Sequence, residues 1–168
     1  MSAPPWQRLP PRAVFALVAL ACLAALAAAL TSQHVFGMQP CPWCVLQRLI
    51  FVLIGVVALA FALLPAPGAA RVGAVLLVLL GLTGVFTALW HHFVGASAAS
   101  CDLTVADRIM SGLGLDTAWP EVFAAFASCA DARVDLFGVP YEFWSLSLYT
   151  LIAAVAAWLA WRTWRARP

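Results

Sequence analysis

Apolar residues run through this chain in four long blocks, separated by shorter stretches where proline, glycine and charge collect. The blocks cover residues 13–30, 45–64, 72–94 and 143–161. Each predicts a helix of about 18–23 residues, enough to cross a hydrocarbon core roughly 30 Å thick. The first block is rich in alanine, and small side chains let neighbouring helices approach closely. It is too long for the apolar part of a signal peptide, and its removal would cost the chain a helix. No internal repeat is evident. The pattern predicts an all-α membrane protein, a four-transmembrane-helix bundle forming one integral domain over residues 1–168. Its two outer loops cover 31–44 and 95–142.

Composition agrees with the pattern. Hydrophobic residues make up 65% of the chain and charged residues 10%, with a mean hydropathy of +0.98, far outside the soluble range. Charge also sets an orientation. There is no lysine, and six of the nine arginines (Arg8, Arg12, Arg71, Arg162, Arg165 and Arg167) fall in the N-terminal tail, the loop 65–71 and the C-terminal tail. These segments share one side of a four-span topology, which the positive-inside rule makes cytoplasmic. All seven acidic residues lie within 101–142, on the opposite, periplasmic side. Trp158, Trp161 and Trp164 form an aromatic belt at the cytoplasmic interface. The net charge of +2 therefore reflects orientation in a lipid bilayer and implies no nucleic-acid partner.

Four cysteines fall in the outer loops: Cys41 and Cys44 in the first, Cys101 and Cys129 in the second. An even number on an oxidising face reads as disulfides. Cys22, mid-span in the first helix, reads as a small buried apolar residue. Zinc would need four ligands, and Cys101 and Cys129 stand 28 positions apart rather than in a second CxxC, so no resident metal is expected. Haem attachment needs CxxCH, and Val45 follows Cys44. A redox CxxC remains, opening a membrane helix. Pro40 and Pro42 keep Cys41 extended and delay the helix to about Trp43. Cys44 then falls in the first turn, where the helix dipole favours a thiolate. Arg48 lies one turn further on the same face and adds a cationic field. A thiolate beside a cation at a membrane boundary suits electron transfer to a lipid-soluble acceptor such as a quinone.

CPWC followed by Arg48 at the start of the second span, Cys101, and Cys129 within Ser128-Cys129-Ala130-Asp131 together resemble the DsbB family of quinone-dependent membrane thiol oxidases. The stretch from Asp135 to Trp144 resembles that family's re-entry into the fourth span, and the likeness covers nearly the whole chain. It implies that Cys41 and Cys44 are the quinone-proximal pair, with Cys44 facing the ring. Cys101 and Cys129 would be the pair that meets a periplasmic thioredoxin-fold, DsbA-like carrier, Cys101 forming the mixed disulfide. Arg48 would contact the quinone, ubiquinone or menaquinone from the membrane pool, and His91 of Trp90-His91-His92 would lie near the ring. Gln47 stands where relatives can carry an acidic residue. The implied localisation is a bacterial inner membrane, with both termini cytoplasmic and the redox cysteines periplasmic.

Two other readings of the residues remain at this point. One is a relative of the vitamin K epoxide reductases, or a paralogue dedicated to one partner. The other is a non-enzymatic metal-binding or thiol-sensing protein using the cysteines with His91 and His92. In the second outer loop, Asp116, Thr117 and Pro120 supply helix-start signals. They predict a short helix over 121–127 whose face of Val122, Phe123 and Phe126 suits the membrane surface or the bundle.

Overall fold

The computed structural model describes residues 9–64, 68–95 and 104–165. Three long helices come first: α1 (Pro11–His34), α2 (Pro42–Leu63) and α3 (Ala69–Phe93). Three short ones follow, α4 (Val105–Gly112), α5 (Leu115–Ala118) and α6 (Pro120–Phe123). A minimal hairpin of β1 (Asp135–Leu136) and β2 (Val139–Pro140) then leads into α7 (Tyr141–Arg165). α1, α2, α3 and α7 are long and apolar enough to cross a membrane, as the four blocks predict. Pro11 and Pro42 open α1 and α2 at the first helical turn, where a missing N–H costs nothing.

The long helices pack in chain order: α1 on α2, α2 on α3, and α3 most extensively on α7. α1 and α7 meet only sparsely, which leaves a seam along one flank. Phe15, Cys22, Ile54, Leu77, Tyr149 and Leu159 are almost wholly buried between the helices. Cys22 is thus a core side chain, as its mid-span position predicts. Leu20, Leu23, Leu79, Phe86 and Leu151 point outward, where acyl chains replace water as solvent.

Tyr149 locks the half of the bundle nearer the outer loops. Its ring stacks on Phe51 at 4.2 Å and its hydroxyl donates to the Gln47 carbonyl at 2.7 Å. Gly84 makes room for it, since a Cβ there would overlap the Tyr149 ring. Basic residues gather at the opposite end. Arg71 Nε donates to the Thr163 carbonyl at 3.1 Å, and Arg162 donates to the Leu9 carbonyl at 2.7 Å. Arg165 stacks over Trp161 at 4.2 Å, tying charge to the aromatic belt. Arg8 and Arg167, which belong to the same charge pattern, lie outside the described residues.

The second outer loop departs from expectation. α4 starts on a full capping box, with Thr104 accepting from the Asp107 N–H and the Asp107 carboxylate accepting from the Thr104 N–H. It buries Ala106 and Met110 against the start of α2. The helix expected over 121–127 is instead the single turn α6, ending at Phe123. It stops because the next residues find another partner: the N–H groups of Phe126 and Ala127 both donate to the Pro40 carbonyl, at 3.0 and 3.3 Å. The expected apolar face is divided accordingly, with Phe123 buried and Phe126 exposed. Phe137 and Gly138 turn the hairpin with φ of 56° and 76°, the paired positive values of a type I′ turn.

Candidate functional site

Cys41 is fully buried and caps α2, its Sγ accepting the Cys44 N–H at 3.4 Å. Proline on both sides fixes this geometry, because Pro40 extends the approach and Pro42 starts the helix. The two sulfurs of the CxxC are 2.8 Å apart. On the other side of Cys41, His91 of α3 brings Nε2 to 3.4 Å from its Sγ. His91 Nδ1 in turn lies 3.5 Å from Gln47 Nε2.

Cys129 completes the cluster from the second loop. The hydrogen bonds onto Pro40 pin Ala127, two residues upstream, and Cys129 is hydrogen-bonded to both Cys41 and His91. The hydrogen bond from Cys41 holds the Cys129 thiol down at about 5; burial opposes this and His91 supports it. Cys41 moves the other way. Hydrogen bonds to Cys129 and Cys44, together with burial, push it strongly up and keep its proton on. The Cys129 thiolate is thus held beside Cys41, placed to attack that sulfur whenever Cys41 is in a disulfide.

Beyond the sulfurs lies a cavity of about 400 Å³. Ala25, Leu26, Phe51 and Leu148 supply its apolar walls, and Cys44, Gln47, Arg48, His91 and Glu142 its polar groups. A larger cavity of about 480 Å³ sits in the α1–α7 seam and shares Leu148, but only apolar residues line it and it holds no reactive group. The smaller cavity is therefore the candidate binding site.

Arg48 is buried rather than snorkelling. It donates to Gln33 Oε1 at 2.6 Å, to the Val122 carbonyl at 3.1 Å and to the Ala29 carbonyl at 3.4 Å. These acceptors are neutral, so its charge remains available to the cavity. Gln33 passes the connection on, donating to the Glu121 carbonyl at 3.2 Å. One guanidinium thus joins α1, α2 and α6.

Cys41, Cys44, Cys129, His91 and Arg48 all meet at this end of the bundle; Cys101 lies outside the described residues. His91 contacts Cys41 as well as lining the cavity, so it touches the sulfurs directly. Its neighbour His92 turns away and pairs with Glu142, Nδ1 to Oε1 2.7 Å. Sequence reasoning missed Gln33 and Glu142. Gln33 was visible as the polar residue closing an apolar helix, and Glu142 as the acidic residue opening one.

A membrane bundle that gathers cysteines at one end, with a buried cation behind them, defines a membrane thiol–disulfide oxidoreductase. The model of the family described as disulfide bond formation protein DsbB matches residues 11–159. Disulfide bond formation protein B of Polaromonas sp. is 37% identical over 146 residues, covering 85% of this chain and 86% of the relative. Disulfide bond formation protein B of Burkholderia pseudomallei is 35% identical over 143 residues, 84% and 85% of the two chains. Disulfide bond formation protein B 1 of Pseudomonas aeruginosa is 37% identical over 141 residues, 81% and 86%. The chain belongs to the DsbB family. It is a multi-pass membrane protein of disulfide-bond formation, a disulfide-generating oxidoreductase.

Proposed function

We propose that this protein reoxidises a periplasmic DsbA-like, thioredoxin-fold dithiol carrier and passes the electrons to a membrane quinone, ubiquinone or menaquinone. The observation that carries the reading is the continuous line Cys129–Cys41–Cys44, which ends in the cavity that Arg48 faces. The concentration of arginine at the far end of the bundle supports an inner-membrane orientation with cytoplasmic termini and periplasmic cysteines.

Exchange proceeds from the loop inward. A carrier thiolate attacks Cys101 of the Cys101–Cys129 disulfide and frees Cys129 as a thiolate. Cys129 attacks Cys41; the Cys41–Cys44 bond breaks, a Cys41–Cys129 bond forms, and Cys44 leaves as a thiolate into the cavity. His91 remains beside Cys129 as a donor while Cys41 is bonded to Cys44. The carrier's second thiol then attacks its own sulfur in the mixed disulfide, leaves as the oxidised carrier and frees Cys101. Cys101 attacks Cys129 of the Cys41–Cys129 bond; Cys101–Cys129 forms again and Cys41 is released beside Cys44 as a dithiol, with no electrons yet leaving the protein.

The cavity fits a quinone head: its walls are apolar, and Cys44, Gln47, Arg48 and His91 supply the few convergent polar groups. When bound, a quinone accepts the two electrons and two protons released as the dithiol returns to disulfide. Arg48 holds positive charge where negative charge develops, already oriented by Gln33 and two carbonyls. His91, between Cys41 and the cavity, is placed to hold or move a proton. The test is quinone reduction by the purified protein with a reduced thioredoxin-fold carrier as sole electron source. Absence of quinol formation, with the carrier remaining reduced, overturns the proposal.

A further inference from the structure

The sulfurs of Cys41 and Cys44 and an imidazole nitrogen of His91 lie within 4.8 Å of one another. Cys129 of the second loop, which interacts with Cys41 and His91, stands outside that group and would complete it by moving in as a third sulfur. Three soft sulfurs and one imidazole are the donor set of a closed tetrahedral zinc site. We propose that the fully reduced protein binds one thiophilic divalent cation, Zn²⁺ or Cd²⁺, through Cys41, Cys44, Cys129 and His91, and that this binding blocks turnover. The inference concerns regulation of the centre described above and rests on its reading as a thiol oxidase.

Among Cys41, Cys44 and His91 the geometry needs little change. Around tetrahedral zinc, ligand sulfurs stand about 3.8 Å apart and a sulfur and an imidazole nitrogen about 3.6 Å apart. Cys41 Sγ and His91 Nε2, at 3.4 Å, are already near that spacing. Cys41 and Cys44, at 2.8 Å, open by about 1 Å, a small rotation of the half-buried Cys44 side chain. The CxxC at a helix start, with the Cys44 N–H on Cys41 Sγ, is itself a zinc-knuckle arrangement. Gln47 provides the outer support. Turning its amide presents the oxygen to His91 Nδ1–H, which leaves Nε2 free to ligate.

The site is gated by redox state. Binding releases one proton from each thiol still protonated and transfers no electrons. A Cys41–Cys44 disulfide removes two of the three thiolates, so the oxidised protein has no such site. The cation would therefore hold the protein in the state from which it must next discharge electrons, and would occupy the sulfur that faces the cavity.

The test is equilibrium titration of purified full-length protein with Zn²⁺ alone, after phosphine reduction and again after oxidation, with Co²⁺ as a spectroscopic probe. One equivalent is expected on the reduced form, with intense thiolate-to-cobalt bands, and none on the oxidised form. Gln47→Ala should weaken binding by about 10- to 100-fold. Cys101→Ser should titrate like the wild type. No binding by the reduced protein, equal binding by the oxidised protein, or loss of the site in Cys101→Ser overturns the proposal. Neither quinone nor carrier enters this readout. A chain that binds Zn²⁺ but cannot reduce quinone sinks the oxidase reading alone, and the converse result sinks only the metal site.

Discussion

Replacing Arg48 separates a helix anchor from an electrostatic group of the site. Arg48→Ala deletes a buried cation and leaves Gln33 Oε1 and the Val122 carbonyl without this donor. The stability loss expected from one such orphaned buried group is about 1–3 kcal/mol. Loss of a preorganised group where negative charge develops costs about 2–4 kcal/mol, or roughly 30- to 900-fold in kcat/KM for quinone. Arg48→Lys keeps the charge but cannot reach Gln33 and the Val122 carbonyl with one planar fork, so an intermediate loss is expected. The assay is steady-state turnover against quinone concentration with carrier saturating, beside thermal unfolding in the same detergent. The apparent KM for quinone should rise, while mixed-disulfide formation at Cys101 stays intact. Unchanged quinone dependence in folded Arg48→Ala would return the arginine to an anchoring role and refute the reasoning.

Cys101→Ser should abolish carrier oxidation but leave Cys44 reactive towards quinone, whereas Cys44→Ser should block quinone reduction while Cys101 can still be trapped with a carrier cysteine; full turnover in either variant breaks the relay. In the reduced protein, the Cys129 thiolate is present above its value of about 5 and is lost as pH falls through it. Alkylation of Cys129, followed by mass spectrometry in a Cys101→Ser background, should therefore stay level down to about pH 6 and halve near 5. Cys41→Ala removes the main hydrogen bond and should move that midpoint upward; a wild-type midpoint near 9 contradicts the assignment. Gly84→Ala forces a methyl into the Tyr149 ring and should cost about 1–3 kcal/mol, read as a lower unfolding temperature. A membrane-impermeant thiol reagent should reach reduced Cys101 from the periplasmic face alone, and labelling only from the cytoplasm would invert the proposed topology.

The four spans were legible because each is a long unbroken apolar block, and in lipid only a helix satisfies such a backbone. The start of α2 was legible for a local reason, two prolines around Cys41. Loop structure was not, because its decisive contacts are distant in sequence. Residues 121–127 carry helix signals, yet Phe126 and Ala127 give their N–H groups to Pro40, more than 80 positions away. α4 has a local signal in Thr104 and Asp107, but its apolar face makes sense only against α2. The site follows the same division. The CxxC and Arg48 stand out from spacing alone, whereas the meeting of Cys129, His91 and Cys41 depends on how three separate segments fold together.

The sparse meeting of α1 and α7 gives the bundle two openings. One faces water at the cysteine end; the other opens sideways into lipid through the seam next to Leu148. Under the proposed function, a water-borne carrier and a lipid-borne acceptor would not queue for the same entrance. If the proposed relay holds, each could dock while the other is still in place, with the sulfurs as their meeting ground.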